Sequence, residues 1–351
     1  MRARAWSAAR PRRGASSSPK PTDGGATLGV RLPNWLGDAM LARRALDALG
    51  ARAGRESLIL AAPAAIASIL EPDYPGAGWL PVEGRGLAGA RRLGLAFRQA
   101  KIDRLVLFPS SLSSRITALY SGARERIGHG PRGWDLEALV GLTQRVPSGR
   151  RGARHLEEEY LDLARAAGGE TGAARRLRVA PEAKAKAEDL LSNLGDFLAL
   201  APGARYGPAK RWAPDRFAQV ARAWKRGAVV LVGQAADAPA TSAVASLLHG
   251  AVVDLTAKTD LPTLAAVLER AALVLSNDSG AAHVAAALAR PTIIIFGSTD
   301  PRWTAPRGDH VTWIWDRVHC APCFRKECPY EDAYACLRIV ESDRVIAMLP
   351  H

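Results

Sequence analysis

The chain predicts an α/β protein made of two doubly wound, Rossmann-like domains, each on a parallel sheet. Three observations carry this. Short apolar strands alternate with helical segments in both halves, the pattern of parallel sheets covered by helices. The alternation breaks near residues 165–197, where AAGGETGAARRLRV precedes a helix, and then restarts. Residues 273–301, LVLSNDSGAAHVAAALARPTIIIFGSTDP, read as strand, polar turn, helix, strand. With 351 residues there is chain enough for two domains of ordinary size, predicted at 27–180 and 181–351.

The elements follow in order. Leu28–Leu32 is a strand, Pro33–Gly37 a loop and Asp38–Leu49 a helix closed by Gly50. Ser57–Ala61 and Ala64–Leu70 repeat strand and helix, and Ile102–Phe108 is a strand leading into PSSLSSR. Pro181–Asn193 is a helix and Phe197–Ala201 a strand, followed by the turn APGARYGPAKRW. Helix Pro214–Trp224, strand Ala228–Val232, helix Ala238–His249, strand Val252–Leu255 and helix Leu261–Ala271 come next. The last unit has strand Leu273–Leu275, turn Ser276–Gly280, helix Ala281–Ala289 and strand Thr292–Phe296. Its turn belongs at the carboxyl end of a parallel sheet, where open α/β folds bind ligands. The helix that follows offers unpaired N–H groups and partial positive charge to an anion such as a diphosphate.

Hydrophobic residues make up 48% and charged residues 23%, a globular composition. No apolar run approaches the roughly 18 residues of a membrane span. The net charge is +14. Arg2, Arg4, Arg10, Arg12, Arg13 and Lys20, against Asp23, place +5 of it on residues 1–26 and leave +9 on the body. A body that basic points to anionic partners: phosphates, acidic sugars, a lipid surface or nucleic acid. Residues 1–26 are rich in Arg, Ser, Pro and Gly and lack a hydrophobic core segment. They read as a disordered basic tail, and neither a secretory nor a twin-arginine signal is expected.

Several motifs carry chemistry. Asn34-Trp35-Leu36-Gly37-Asp38 closes the first strand and opens the first helix. Asp38 reads as a helix cap or as a general base facing the inter-domain cleft. Gly203-Ala204-Arg205-Tyr206-Gly207-Pro208-Ala209-Lys210-Arg211-Trp212 shapes a turn carrying three cations. It reads best as a phosphate cradle that stabilises a departing diphosphate. Asp237 ends a strand where a ribose-binding acid often stands, with irregular spacing, and the run Asp254–Thr259 is a candidate adenine or ribose pocket. His283 serves either the turn or a ligand. Gly84-Arg85-Gly86-Leu87-Ala88-Gly89 matches G-x-G-x-x-G, but it follows no clean strand and has no acid at the required distance, which argues against a nicotinamide site. Cys320, Cys323, Cys328 and Cys336 fall within 17 residues. Structural zinc, an iron–sulfur cluster and unligated or disulfide-capable thiols all stay open for them.

Taken together, these residues resemble the ADP-heptose:lipopolysaccharide heptosyltransferases of glycosyltransferase family 9. PNWLGDAML is similar to that family's N-terminal WxGD motif, and GARYGPAKRW to the phosphate-side motif of its type II members. NDSGAAHVAAALARPTIIIFGSTDP resembles the donor-site signature, and CAPCFRKECP…CL the cysteine-rich segment of many type II members. ARERIGHGPRGWDLEALV, followed by His155 and Tyr160, fits the same pattern. The resemblance spans about residues 27–345 and has no counterpart for the tail.

The resemblance implies a GT-B fold, two Rossmann-like domains facing a central cleft, with an acceptor domain before residue 181 and a donor domain after it. It implies inverting transfer of heptose from an ADP-linked donor to the first heptose of an anionic lipopolysaccharide inner core. Asp38 matches the catalytic base and Lys210 the lysine at the donor diphosphate. Gly203, Tyr206, Gly207, Asp237, Thr259, Asp278, Ser279, Gly280 and His283 are implied on the donor side. Asn34, Trp35, Arg115 and Arg126 are implied on the acceptor side. Asn34 and Asp237 fit the family pattern only loosely. No cofactor or catalytic metal is expected, structural zinc apart. The expected location is cytoplasmic, at the inner-membrane surface. Two other readings stay open: different nucleotide-sugar chemistry on this fold, such as first-heptose transfer or a sugar 2-epimerase, and a basic, zinc-containing nucleic-acid binder. The last leaves both turns without a role, so no nucleic-acid partner is expected.

Overall fold

Each half of the chain repeats one rule: an apolar strand, then a helix that returns over the sheet. The computed structural model describes residues 27–54, 57–84, 86–130, 140–149, 152–191 and 194–350; the expected basic tail, residues 1–26, lies outside them. The first half runs β1 (Leu28–Arg31), α1 (Leu36–Ala53), β2 (Leu58–Ala62), α2 (Ala64–Leu70), β3 (Gly78–Pro81), α3 (Gly86–Gln99), β4 (Arg104–Leu107), α4 (Leu112–Tyr120), β5 (Glu125–His129), β6 (Gln144–Val146) and α5 (Leu156–Ala166). The second half runs α6 (Pro181–Leu191), β7 (Phe197–Ala201), α7 (Pro214–Ala223), β8 (Ala228–Leu231), α8 (Ala238–Ala245), β9 (Val252–Asp254), α9 (Leu261–Arg270), β10 (Leu273–Asn277), α10 (Gly280–Ala287), β11 (Thr292–Ile295), α11 (Pro301–Thr304), β12 (Val311–Ile314), α12 (Ala335–Arg338) and α13 (Ser342–Ile346).

The strand order is β3-β2-β1-β4-β5-β6 in the first sheet and β12-β11-β10-β7-β8-β9 in the second. Counted within each half, both are the Rossmann order 3-2-1-4-5-6. Every pairing is parallel; Val30 of β1, for example, sits between Leu60 and Val106. The central strands LGVR, FLALA and LVLSN are buried along their whole length, as strands covered by helices on both faces must be.

The differences from the sequence expectation have physical causes. α1 continues past Gly50 to Ala53, which is half-buried against the core. The helix stops at Gly54, whose φ of +75° only glycine adopts freely. β10 runs two residues beyond Leu275, because Ser276 and Asn277 are buried with their hydrogen bonds met: the hydroxyl of Ser276 donates to the Asn277 carbonyl at 2.7 Å. α8 ends at Ala245, before His249. The strands the sequence reading passed over, β3, β5, β6 and β12, lie at or beside sheet edges, where a half-covered strand needs no continuous apolar run.

The two sheets are joined by more than the connecting chain. α1 packs on α10, α2 on α9 and α5 on α11. The Leu177 amide donates to the Ala287 carbonyl at 2.7 Å. His155 caps α5 through Nδ1, which accepts from the Glu157 amide, and its Nε2 meets the Ala305 carbonyl at 2.8 Å across the interface. Burial lowers the His155 pKa, so the ring stays neutral with its proton on Nε2. Arg43 of α1 forms a buried ion pair with Asp73 at 2.6 Å, and Asp73 also accepts from the Arg178 amide at 3.1 Å. Asp73 thus ties α1 to the strand of chain that leads into the second half. Replacing Asp73 with Ala strands a buried guanidinium and is expected to lower unfolding free energy by about 3–5 kcal/mol. Urea midpoints of the two proteins measure it; an unchanged midpoint contradicts this account.

Candidate active site

In each sheet the chain reverses direction between its first and fourth strands, and ligand crevices open at the carboxyl ends of such a pair. Here the two crevices face each other. Trp35, Gly37 and Asp38 follow β1, and Phe108, Pro109, Ser110 and Ser111 follow β4. Arg205, Tyr206 and Lys210 follow β7, and Asp278, Ser279 and Gly280 follow β10. All line one cleft of about 490 Å³, together with His129, Glu159, Tyr160, His283, Thr299 and Trp303.

On the β10 side stands an ion pair between the Lys210 ammonium and Asp278. Asp278 is buried. Its Oδ2 also accepts from the Thr299 hydroxyl at 2.6 Å, and its Oδ1 lies 3.9 Å from Nε2 of His283. Burial pushes the Asp278 carboxyl up, but the Lys210 ammonium and the His283 ring outweigh it and hold the group well below the usual carboxylate range. Tyr206 lies under the ammonium, its ring centroid 4.9 Å from Nζ. Ser279 begins α10 in extended conformation and makes no side-chain capping bond, so the first N–H groups of α10 are left to the cleft.

Two glycines bring the halves of the site together. A Cβ on Gly37 would stand 3.0 Å from the His283 ring, and one on Gly280 would stand 2.9 Å from Leu36. The first turn of α1 therefore seats directly on the first turn of α10. Asp38 is the third residue of α1, where a carboxylate is favoured by the helix dipole; the cap position belongs to Trp35, so the cap reading of Asp38 is corrected.

The Lys210 loop is held from behind. Asn277, fully buried, accepts from the Trp212 amide at 3.0 Å and donates to the Pro202 carbonyl at 2.7 Å, which pins both ends of the loop to β10. The Tyr206 hydroxyl donates to the Phe324 carbonyl at 2.5 Å, and the Ala209 amide to the Lys326 carbonyl at 3.0 Å. Gly207, at φ +154°, leaves no room for a Cβ, which would fall 2.5 Å from that Lys326 carbonyl.

Residues 90–334 match the sequence profile of glycosyltransferase family 9 (heptosyltransferase). The chain belongs to this family. It is 29% identical to lipopolysaccharide heptosyltransferase 2 of Escherichia coli K12 over 296 residues, 78% of this chain and 83% of the relative. It is 29% identical to lipooligosaccharide heptosyltransferase 2 of Haemophilus influenzae over 304 residues, 80% and 86% of the two chains. The solved ADP-heptose lipopolysaccharide heptosyltransferase II of E. coli superposes with a TM-score of 0.74 at 26% identity, covering 92% of this chain and 96% of that one. The fold is GT-B, and the protein is a glycosyltransferase of the heptosyltransferase kind.

The residues that the sequence assigned to the glycosyltransferase's site divide into three groups. Trp35, Asp38, Tyr206, Lys210, Asp278, Ser279, Gly280 and His283 line the cleft. Gly203 and Gly207 shape its Lys210 loop from outside; Gly203 packs against the side chain of Asp237. Asp237 accepts from the Gln234 amide in a capping box, so it serves a helix start there. Thr259 lies in the loop after β9, outside the residues that line the cleft.

Asn34, Arg115 and Arg126 stand apart from the cleft as well. Asn34 accepts from the buried Arg31 at 2.9 Å, and burial brings that guanidinium down to about 10. Arg115 is 1% exposed and donates to the His129 carbonyl; Arg126 donates to the Gly141 and Ala123 carbonyls at 2.7 Å. Arg115 thus holds the end of β5, and Arg126 ties its start to the neighbouring loops.

The sequence reading missed Thr299, Asn277 and Glu159. The first two adjoin the NDSG and STDP turns and were within reach. Glu159 was not: it is the last of three consecutive glutamates with no motif around them, and only burial singles it out. On the far side of the Lys210 loop, Cys320, Cys323, Cys328 and Cys336 line a second, small cavity. Burial pushes the Cys336 thiol up to about 11, and the three neighbouring sulfurs add to the shift.

Asp278 has a pH signature. Its carboxyl is depressed in the folded state, so its stabilising contribution is complete above its ordinary value near 4 and is lost as the pH falls below that. Asp278→Asn is expected to be less stable than the native chain at about pH 6, with the gap narrowing towards about pH 3. Urea midpoints across that range report it. A gap that widens on acidification contradicts the assignment.

Proposed function

We propose that this glycosyltransferase moves heptose from ADP-L-glycero-D-manno-heptose onto the first heptose of a lipopolysaccharide inner core, with inversion. The observation that carries the reading is the pairing of chemistries across one cleft. A carboxylate, Asp38, stands on one wall, and an ammonium beside an uncapped helix start stands on the other. Residues 181–351 hold the donor and residues 27–180 the acceptor. Relatives named for heptose transfer to lipopolysaccharide or lipooligosaccharide support the choice of sugar and acceptor.

The chemistry follows from the charges. Asp38 takes the proton from the acceptor hydroxyl as its oxygen attacks the anomeric carbon. The bond to ADP breaks on the opposite face, which inverts the centre. Negative charge grows on the departing diphosphate, and Lys210 and the first N–H groups of α10 stabilise it there. Lys210 keeps two N–H donors beyond the one it gives Asp278. Asp278, held ionised, fixes that ammonium in place, and Arg205, stacked on Trp35 at 5.4 Å, adds a second cation at the seam between domains.

The acceptor is anionic and the chain carries +14. Among the described residues no helix is long and apolar enough to cross a membrane. We place the enzyme's work in the cytoplasm at the inner-membrane surface, with the cationic body attracted to acidic lipid and core phosphates.

ADP release from ADP-heptose, measured with a one-heptose core, a heptose-free core and no acceptor, tests the reading. Release only with the one-heptose core is expected. Release with the heptose-free core instead assigns first-heptose transfer, and acceptor-independent release favours an epimerase. Asp38→Asn is expected to lower kcat by about 10²–10⁴-fold with ADP affinity retained. Lys210→Met is expected to weaken ADP binding by about tenfold or more, seen by calorimetry. Full turnover in Asp38→Asn removes the base from Asp38.

A further inference from the structure

We propose that Cys320, Cys323, Cys328 and Cys336 form a tetrathiolate site for a soft divalent cation, zinc by preference, which locks residues 320–336 behind the Lys210 loop. All four cysteines line one cavity of about 40 Å³. That is more than the roughly 10–15 Å³ a single water needs, and the four thiols share its lining with His319, Asp332 and small or aromatic side chains. The four thiols are free, with no disulfide between them.

The lobe needs a staple. Between Cys320 and Tyr334 the chain forms neither helix nor strand, and Arg325, Lys326, Glu327, Glu331 and Asp332 point to solvent. Ala321 and Cys336 are its buried side chains, too little to order a segment that size by apolar burial. Four thiolates around one ion supply the missing order. Among the described residues no three ligating side chains are already gathered at metal-binding distances. Bonds of about 2.3 Å require the sulfurs to draw in around the cavity centre, into space the cavity already holds.

The lobe bears on the site through the main chain. Ala209 and Ser298 line the same cavity as the cysteines. The Ala209 amide donates to the Lys326 carbonyl, the Ser298 amide to the Ala209 carbonyl at 3.2 Å, and the Phe324 amide to the Ser298 carbonyl at 2.8 Å. Phe324 and Lys326 lie between Cys323 and Cys328, so an ion that fixes those two sulfurs fixes the support of Lys210. The cysteines are positioning residues; none lines the cleft.

The test uses the full chain, purified under reductant without chelator. Elemental analysis is expected to find about one zinc per chain. The four thiols should resist a thiol reagent until a chelator is added, and Co²⁺ in place of zinc should give thiolate-to-cobalt charge-transfer absorption. Cys328→Ser and Cys336→Ser should each lose most of the metal. Absence of zinc and of the Co²⁺ band in the native chain, or four thiols reactive with Zn²⁺ present, overturns the site; the Co²⁺ titration decides even if the serine variants fail to fold. The link to Lys210 rests on the donor reading above, and metal content does not, so the two fail separately. Chelation is expected to weaken ADP binding by about tenfold. ADP affinity unmoved by metal loss overturns the positioning role.

Discussion

Burying an ammonium and a carboxylate side by side removes several kcal/mol of hydration from each ion, and only close geometry with further hydrogen bonds recovers it. The pair between Lys210 and Asp278 meets that demand with Thr299, His283 and the Tyr206 ring arranged around it. Much of the second domain is organised to hold the two ends of this pair. Asp278 is fixed because it follows a buried strand, and its amide donates to the Ile295 carbonyl at 3.0 Å. Lys210 is fixed because Asn277 pins its loop at both ends and the 320–336 segment supports it from behind.

In the reaction proposed above, the pair is also what turns a generic crevice into an anion site. The start of α10 offers dipole and N–H groups to any anion, as many helix starts do. Alone it would not distinguish a diphosphate from solvent. An ammonium held beside it in low dielectric adds a full charge in a fixed direction. Asp278 takes no part in bond making in this scheme. Its work is electrostatic, holding the Lys210 ammonium in one direction.

The first domain contributes by contact. Gly37 and Gly280 let two helix starts touch, and that contact sets Asp38 across the cleft from the anion site. His155, bonded to the Ala305 carbonyl, and Arg307, paired with Glu158 at 2.6 Å, hold the same interface further out. Buried apolar residues of both halves also join in one continuous core across that interface, Leu46 and Ile66 on one side and Leu268 and Val284 on the other.

Local signals were enough for much of this. The strand–turn–helix pattern revealed both Rossmann halves, because buried central strands must be apolar on both faces. The NWLGD, GARYGPAKRW and NDSG turns were legible because a turn at a strand end that carries charge and glycine has few structural reasons to do so. Asp38, Lys210, Asp278 and His283 were therefore named from sequence, and the fold gathers them in one cleft. Of the strands at the sheet edges only β9 was legible, since half-covered strands carry weak patterns.

What only the tertiary structure decided is which polar residues face the cleft. Arg115 and Arg126 look like ligand cations in sequence, yet they bond main-chain carbonyls at β5; Asp237 looks like a ribose acid, yet it caps a helix start. Glu159, hidden in a run of glutamates, is buried at the cleft wall. A sequence specifies the residue and the element that carries it. The direction a side chain takes depends on packing between elements far apart in the chain, and that is settled only when the two sheets meet.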